Sequence, residues 1–198
     1  MRKTLVLSLF LACSIAGFSQ KGIGVRLGDP SGITFKTYNG DNALEFSIGR
    51  THLVGKGFYN DHFFKWYSDA AFGYKDYNLI SSDISTPIGM HVHYLIHQDW
   101  FASDLDGLQW YYGFGGQFRF QSFSHSYRYK LEGNSSWFYA ETKKVTDIDF
   151  GGDGVLGAEY EFKDVPVRVF IDLTLFMEIV DDPFRFWFQA GIGGRYMF

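Results

Sequence analysis

The segment "MHVHYLIH", Met90 to His97, places His91, His93 and His97 at alternate positions. In an extended strand such positions share one face, with neighbouring side chains about 7 Å apart. Imidazoles so spaced are near enough for a cross-strand metal site, and a catalytic zinc takes three protein ligands and keeps one position open. The competing reading is a set of polar side chains hydrogen-bonded to nearby charges. No specific ligand spacing is present, so no metal and no cofactor is assigned. A second set of reactive side chains lies in "VRVFIDLTLFMEIV", Val167 to Val180, where Arg168, Asp172 and Glu178 interrupt an otherwise apolar run.

The elements that would position these groups follow from periodicity. In Val167 to Val180, Val167, Val169, Ile171, Leu173, Leu175, Met177 and Ile179 share a strand face, and all three charges fall on the other. A helical wheel scatters the charges among Leu and Val. The same alternation recurs in "IGVRLG", "ITFKTY", "ALEFSIGR", "MHVHYLIH", "LQWYYGFGGQFRF", "VLGAEYEFK" and "FWFQAGIGGRYMF". Eight strands of roughly 7 to 14 residues result, against about 9 to 11 for a strand that crosses a membrane. "GDPSG", "NGDN", "KDVP" and "DDPF" are short connections, and "NGDN" carries an Asn-Gly hairpin signal. Residues 51–85 and about 121–146 form long loops on the same end. Residues 98–107 are long for a turn at the other end.

Composition narrows the class. The chain has 198 residues, with 22 Phe, 13 Tyr and 5 Trp, 23 Gly and only 4 Pro. "MRKTLVLSLFLACSIAGFSQ" has Arg2 and Lys3, then a short apolar core, then small residues, and reads as a secretory signal peptide over residues 1–20. Residues 21–198 form the single mature domain. Removal of the signal peptide takes away Cys13, the one cysteine, and leaves 16 basic against 22 acidic residues, a net charge of −6. No disulfide follows, and no nucleic-acid partner, since that needs clustered Lys and Arg.

The alternation alone does not say which face is inside. The polar face interleaves glycine with charge, which suits a narrow lumen, and the apolar face carries Tyr, Trp and Phe toward strand ends, as an aromatic girdle would. The expectation is therefore an all-β, transmembrane, antiparallel up-and-down barrel of eight strands. Its lumen would hold Arg26, Lys36, Arg119, Lys163, Arg168 and Arg195 with Glu45, Glu159, Glu161, Asp172 and Glu178. An unpartnered charge there costs several kcal/mol, so near-balance implies cross-strand ion pairs. At eight strands side chains fill the bore.

The terminal "GIGGRYMF", with Tyr196 and Phe198, resembles the C-terminal signal by which outer-membrane barrels are recognised by their assembly machinery. "GVRLGDPSGITFKTY", "NALEFSIG", "WYYGFGGQF" and "GVLGAEYEF" resemble a family of small outer-membrane β-barrel proteins of Gram-negative bacteria, OmpA/OmpX-like in design. The resemblance spans Gly22 to Phe198. It implies an eight-stranded barrel in the outer membrane, in contact with bilayer lipid and lipopolysaccharide, and it implies no reaction.

The expected role is structural or surface-interacting, with a monomeric barrel and a lumen plugged by ion pairs. Phe63, Phe64, Trp66, Tyr67 and Trp137, in the long loops, are the candidate binding residues, because exposed loop aromatics mark contact surfaces. One alternative is a small-solute, porin-like channel. Another is a lipid A-modifying enzyme, which needs a Ser–His pair facing the outer leaflet. Ser47 and His52 face neither each other nor lipid, and Asp61–His62 and Asp181–Asp182 are pairs common in solvated loops. No catalytic residue is assigned.

Overall fold

The computed structural model describes residues 20–51, 63–65, 67, 76–100, 106–141, 144–180 and 183–198. Residues 1–19, which hold almost all of the expected signal peptide, lie outside this set, as do His52, Asp61, His62, Trp66, Asp181 and Asp182. Ten strand segments are present: β1 (Lys21–Gly28), β2 (Ser31–Asn39), β3 (Asn42–Arg50), β4 (Asp76–Ile84), β5 (Ile88–Asp99), β6 (Leu108–Lys130), β7 (Phe138–Glu141), β8 (Val145–Glu161), β9 (Val167–Val180) and β10 (Phe186–Met197).

Eight of these close a ring. Each pairs antiparallel with its neighbours in the order β1, β2, β3, β5, β6, β8, β9, β10, and β10 returns to β1 through Gly22↔Met197 to Gly28↔Gly191. Closure removes the sheet edges that would otherwise present unpaired backbone groups. The first and last ring strands meet on one rim, where Lys21 and Phe198 exchange backbone hydrogen bonds. The short connections 40–41 and 162–166 share that near rim.

Side chains alternate as the barrel demands. Ile23, Val25, Ile33, Leu44, Val92, Phe114, Leu156, Leu173 and Ile192 face outward and are exposed. Arg26, Lys36, Glu45, Arg119, Glu159, Asp172, Glu178 and Arg195 face inward and are buried. This is the inside-out polarity of a barrel built for an apolar surrounding. On β9 the outward residues run from Val169 to Ile179, ten steps of about 3.3 Å. At a tilt of about 40° they cover about 25 Å, the height of a lipid-facing band. Outward aromatics gather toward the rims, with Tyr160, Tyr196 and Phe198 at the near end and Phe120, Phe150 and Phe186 at the far end.

Two sequence expectations change. The first concerns residues 51–85 and 121–146, read as loops: β4 occupies Asp76–Ile84 of the former. β6 continues through "QSFSHSYRYK" to Lys130, and β8 begins at Val145. Beyond the ring, β6 pairs with β4 on one side and β7 on the other, giving a three-stranded extension. The inward residues Asp147, Asp149, Gly151 and Asp153 hid the start of β8, because an alternation of acids with Ile148 and Phe150 scores as a polar loop. The second is Lys163, expected in the lumen. It lies in the exposed turn after β8, where Nζ donates to Asp106 Oδ2 at 2.5 Å. Strand pairing stops before it, so alternation no longer sets its direction.

Candidate functional site

The lumen is built from one residue in two along each strand, and its near half is organised on Glu159. β8 carries this carboxylate inward, where it is 2 % exposed. Lys36 Nζ from β2 donates to Oε2 at 2.8 Å, Arg168 Nη1 from β9 to Oε1 at 2.8 Å, and the Tyr38 hydroxyl to Oε2 at 3.1 Å. Arg195 Nη1 lies 3.7 Å from Oε2, and His97 Nε2 lies 3.4 Å from Oε1. Glu45 takes the other side of Arg195, with Nη2 at 2.7 Å from Oε2, and Lys36 Nζ is 3.8 Å away. Arg195 also donates to Thr34 Oγ1 at 3.3 Å. Arg168 extends the chain of pairs to Glu161 at 2.5 Å, whose side chain is 42 % exposed at the near rim.

Arg26 of β1 grips Asp172 of β9 with both terminal nitrogens, Nη2 donating to Oδ1 at 2.7 Å and Nη1 to Oδ2. Gly191, between these two strands, makes the grip possible: a Cβ there would overlap the Arg26 guanidinium. Aromatic faces complete the packing. Arg195 lies 3.7 Å from the Phe170 centroid, Arg168 4.4 Å from Tyr38 and Lys36 4.2 Å from Tyr111. Such contacts strengthen when desolvated.

The far half is different. Gln117 and Gln189 bond across the lumen, Gln117 Nε2 donating at 2.6 Å and Gln189 Nε2 at 3.1 Å. Arg119 stacks over Phe176 at 4.7 Å. Gln121 Nε2 donates to Asp147 Oδ2 at 2.8 Å. Glu178 and Asp149 are buried here too. His91 and His93 face inward side by side, ring centroids 5.4 Å apart. His93 Nε2 lies 3.1 Å from Asp153 Oδ2 of β8.

The expected lumen residues therefore fall into two groups. Arg26, Lys36, Glu45, Glu159, Glu161, Arg168, Asp172 and Arg195 come together, whereas Arg119 and Glu178 stand apart, farther along the bore. The three histidines also separate: His97 joins Glu159, and His91 and His93 meet Asp153 instead. Asp147, Asp149 and Asp153 were missed in the sequence, where alternation with Ile148 and Phe150 was the available signal. Ser47 is buried in the lumen near Glu45, at 3.4 Å from Oε1.

Of the loop aromatics, Phe63 and Tyr67 are buried rather than presented. Phe63 packs on Tyr67, Tyr77, His125 and Tyr127 with centroids 5.3 to 6.2 Å apart, and Tyr67 stacks on Tyr77 at 3.7 Å. They form the core of the far extension, because inward positions of β6 continue past the ring and need covering. Phe64 and Trp137 keep an exposed face, and Arg128 and Lys130 lie over Trp137 at 4.5 and 4.4 Å. Tyr196 and Phe198 point outward at the near rim, 56 % and 63 % exposed.

No family model and no curated protein matches this chain. Among solved structures it is similar to the N-terminal β-barrel domain of Pseudomonas aeruginosa OprF, with TM-score 0.46, 14% identity, 91% of this chain and 96% of that one. It is also similar to Ail, the attachment invasion locus protein of Yersinia pestis, with TM-score 0.47, 12% identity, 91% and 97%. Neisserial surface protein A gives TM-score 0.39, 10% identity, 91% and 96%. At these values the likeness is one of outline. The architecture rests on the closed strand register and the inside-out burial.

Proposed function

We propose that this chain is an integral outer-membrane β-barrel whose lumen is closed by its own ion pairs and whose role is structural or surface-interacting. The supporting observation is the exterior. Ile23, Ile33, Ile48, Val92, Phe114, Leu156, Ile171 and Ile192 expose apolar side chains from every strand of the ring. Soluble proteins rarely expose a contiguous apolar patch beyond a few hundred Å². Bilayer lipid and lipopolysaccharide are the partners that suit such a belt. The chain is exported with residues 1–20 removed, is inserted by the outer-membrane assembly machinery through Tyr196 and Phe198, and acts as a monomer.

The Glu159 network supports a closed bore. Three cations and three carboxylates linked through Glu159, with the separate Arg26–Asp172 pair, fill the near half, leaving a diffusing solute nothing to displace cheaply. The far extension of β4, β6 and β7, with Phe64 and Trp137 on its surface, is the part that would meet a partner outside the cell.

A heat-dependent gel shift of the membrane fraction tests the location. A protein recovered in the soluble fraction would overturn it. Purified barrel in planar bilayers is expected to give no steady conductance. Discrete conductance steps would replace the closed-lumen reading with the porin-like one. Trypsin treatment of intact cells should cleave only in the far extension.

A further inference from the structure

We propose that His91, His93 and Asp153 form a binding site for one divalent transition-metal ion in the far half of the lumen. The three side chains come from two strands that are not neighbours. His91 and His93 lie two apart on β5, and β8 supplies Asp153 from the far side of β6. Their nearest donor atoms all fall within 4.8 Å of one another, and all three residues are buried.

Gly115 is what brings them together. In register, His93 pairs with Gly115 and Gly115 pairs with Asp153. With no side chain between them, imidazole and carboxylate close over the intervening strand. A Cβ on Gly115 would stand 2.5 Å from His93 Cδ2.

Two features point to a ligand rather than a finished hydrogen-bond pair. Among the described residues neither ring nitrogen of His91 has a hydrogen-bond partner, although the residue is 1 % exposed. Asp153 Oδ1 is likewise buried and unpartnered. Leaving such groups unsatisfied is costly, and one cation would engage one His91 nitrogen and the Asp153 carboxylate.

The chemistry selects the ion. Two imidazoles and one carboxylate suit zinc and its first-row neighbours, whereas calcium and magnesium prefer all-oxygen sites. In tetrahedral zinc, with bonds of about 2.0–2.1 Å, ligand atoms stand about 3.3 Å apart. The His93–Asp153 edge, at 3.1 Å, already has that length, and a rotation of His91 supplies the third corner. Glu45, cross-strand neighbour of His93, adds negative charge nearby, while the charges of Arg26 and Arg119 oppose a cation. Asp147 and Asp149 lie farther along toward the far rim, where they would draw in a cation. The fourth position stays open to water, and the ion would pin β5 to β8.

The test uses tag-free, folded, detergent-solubilised protein titrated with Co²⁺ and then Zn²⁺. One Co²⁺ per chain with visible d–d bands, displaced by one Zn²⁺, is expected. X-ray absorption of the unmutated cobalt protein should count two imidazole ligands. His91→Gln and Asp153→Asn should each weaken binding at least tenfold, while His97→Gln, outside the cluster, leaves it unchanged. Absence of a stoichiometric site in the folded wild-type barrel, a cobalt shell without imidazole, or equal loss in His97→Gln would overturn the proposal. The wild-type measurements decide it even where a variant fails the heat-shift test for folding.

Discussion

Near the chain ends, the lumen sets Arg26, Lys36, Arg168 and Arg195 against Glu45, Glu159, Glu161 and Asp172, every one within 4 Å of an opposite charge. Farther along, the inward strand positions hold Arg119 with Asp147, Asp149, Asp153 and Glu178, and much of the bonding passes to Gln117, Gln121, Gln189 and two histidines. Both halves bury polar groups inside the same eight strands. The near half meets the cost of desolvation with one to three opposite charges per ion. The far half sets amides and imidazoles among its charges, and buried atoms of His91, Gln121 and Asp153 there have no hydrogen-bond partner among the described residues. Removing one charge should therefore be felt far more near the termini than near the far rim.

The sharpest way to break this contrast is Glu159→Gln. The change keeps the shape and leaves Lys36 and Arg168 buried without the carboxylate they share, Lys36 keeping only Glu45 at 3.8 Å and Arg168 only Glu161 at 2.5 Å. Removing one partner of a buried ion pair typically costs about 3–5 kcal/mol, so the urea midpoint of the detergent-folded barrel should fall by the corresponding amount. A loss below about 1 kcal/mol would mean the network behaves like a solvated surface pair.

Next in size is the Arg26–Asp172 grip. Asp172→Asn alone should cost about 3 kcal/mol, because a buried guanidinium loses its counter-charge and one of its two acceptor oxygens. Arg26→Met combined with Asp172→Leu should recover most of that, since apolar replacement of a whole buried pair is often neutral. A double-mutant cycle on the same unfolding curves measures the coupling. Additive losses would show that the pair acts as two separate sites.

A smaller effect is expected in the far half. Asp147→Asn keeps an acceptor for the Gln121 amide and removes a charge from an acid-rich region. The change should stay within about 1 kcal/mol, the worth of one neutral hydrogen bond, and thermal unfolding would show it. A loss as large as that of Glu159→Gln would erase the distinction between the halves.

The eight ring strands and their facing were legible because a barrel wall is buried on one side only, so Val167 to Val180 and Phe186 to Phe198 alternate cleanly. The long-range partners were not legible. Nothing in the spacing of Arg26 and Asp172, or of His93 and Asp153, says that the chain returns with those positions in register; shear and closure decide it. The far extension was lost for a different reason. His125 and Tyr127 on β6 are covered by Phe63 and Tyr67 rather than by the ring, and Asp147, Asp149 and Asp153 put acids where the pattern was sought among apolar residues. Phe63 and Tyr67 looked like a binding surface because a loop aromatic and a covering aromatic read alike until their partner is known.

The smallest effect should come from Lys163→Met. Its partner Asp106 is fully exposed in the near-rim turn. The hydrogen bond from Lys163, and then its charge, hold the Asp106 carboxyl below the ordinary aspartate value. A carboxyl depressed in the folded state stabilises above its ordinary pKa, and that contribution is lost as pH falls through the folded value. Here the pair is bathed in water and salt, where such contacts contribute little. The urea midpoint at neutral pH and the acid limb of unfolding should therefore both match the wild type. Lys163 and Lys36 carry the same ammonium and each meets a carboxylate within 3 Å. If Lys163→Met shifted the midpoint as far as Glu159→Gln, burial would not be what gives the lumen network its weight.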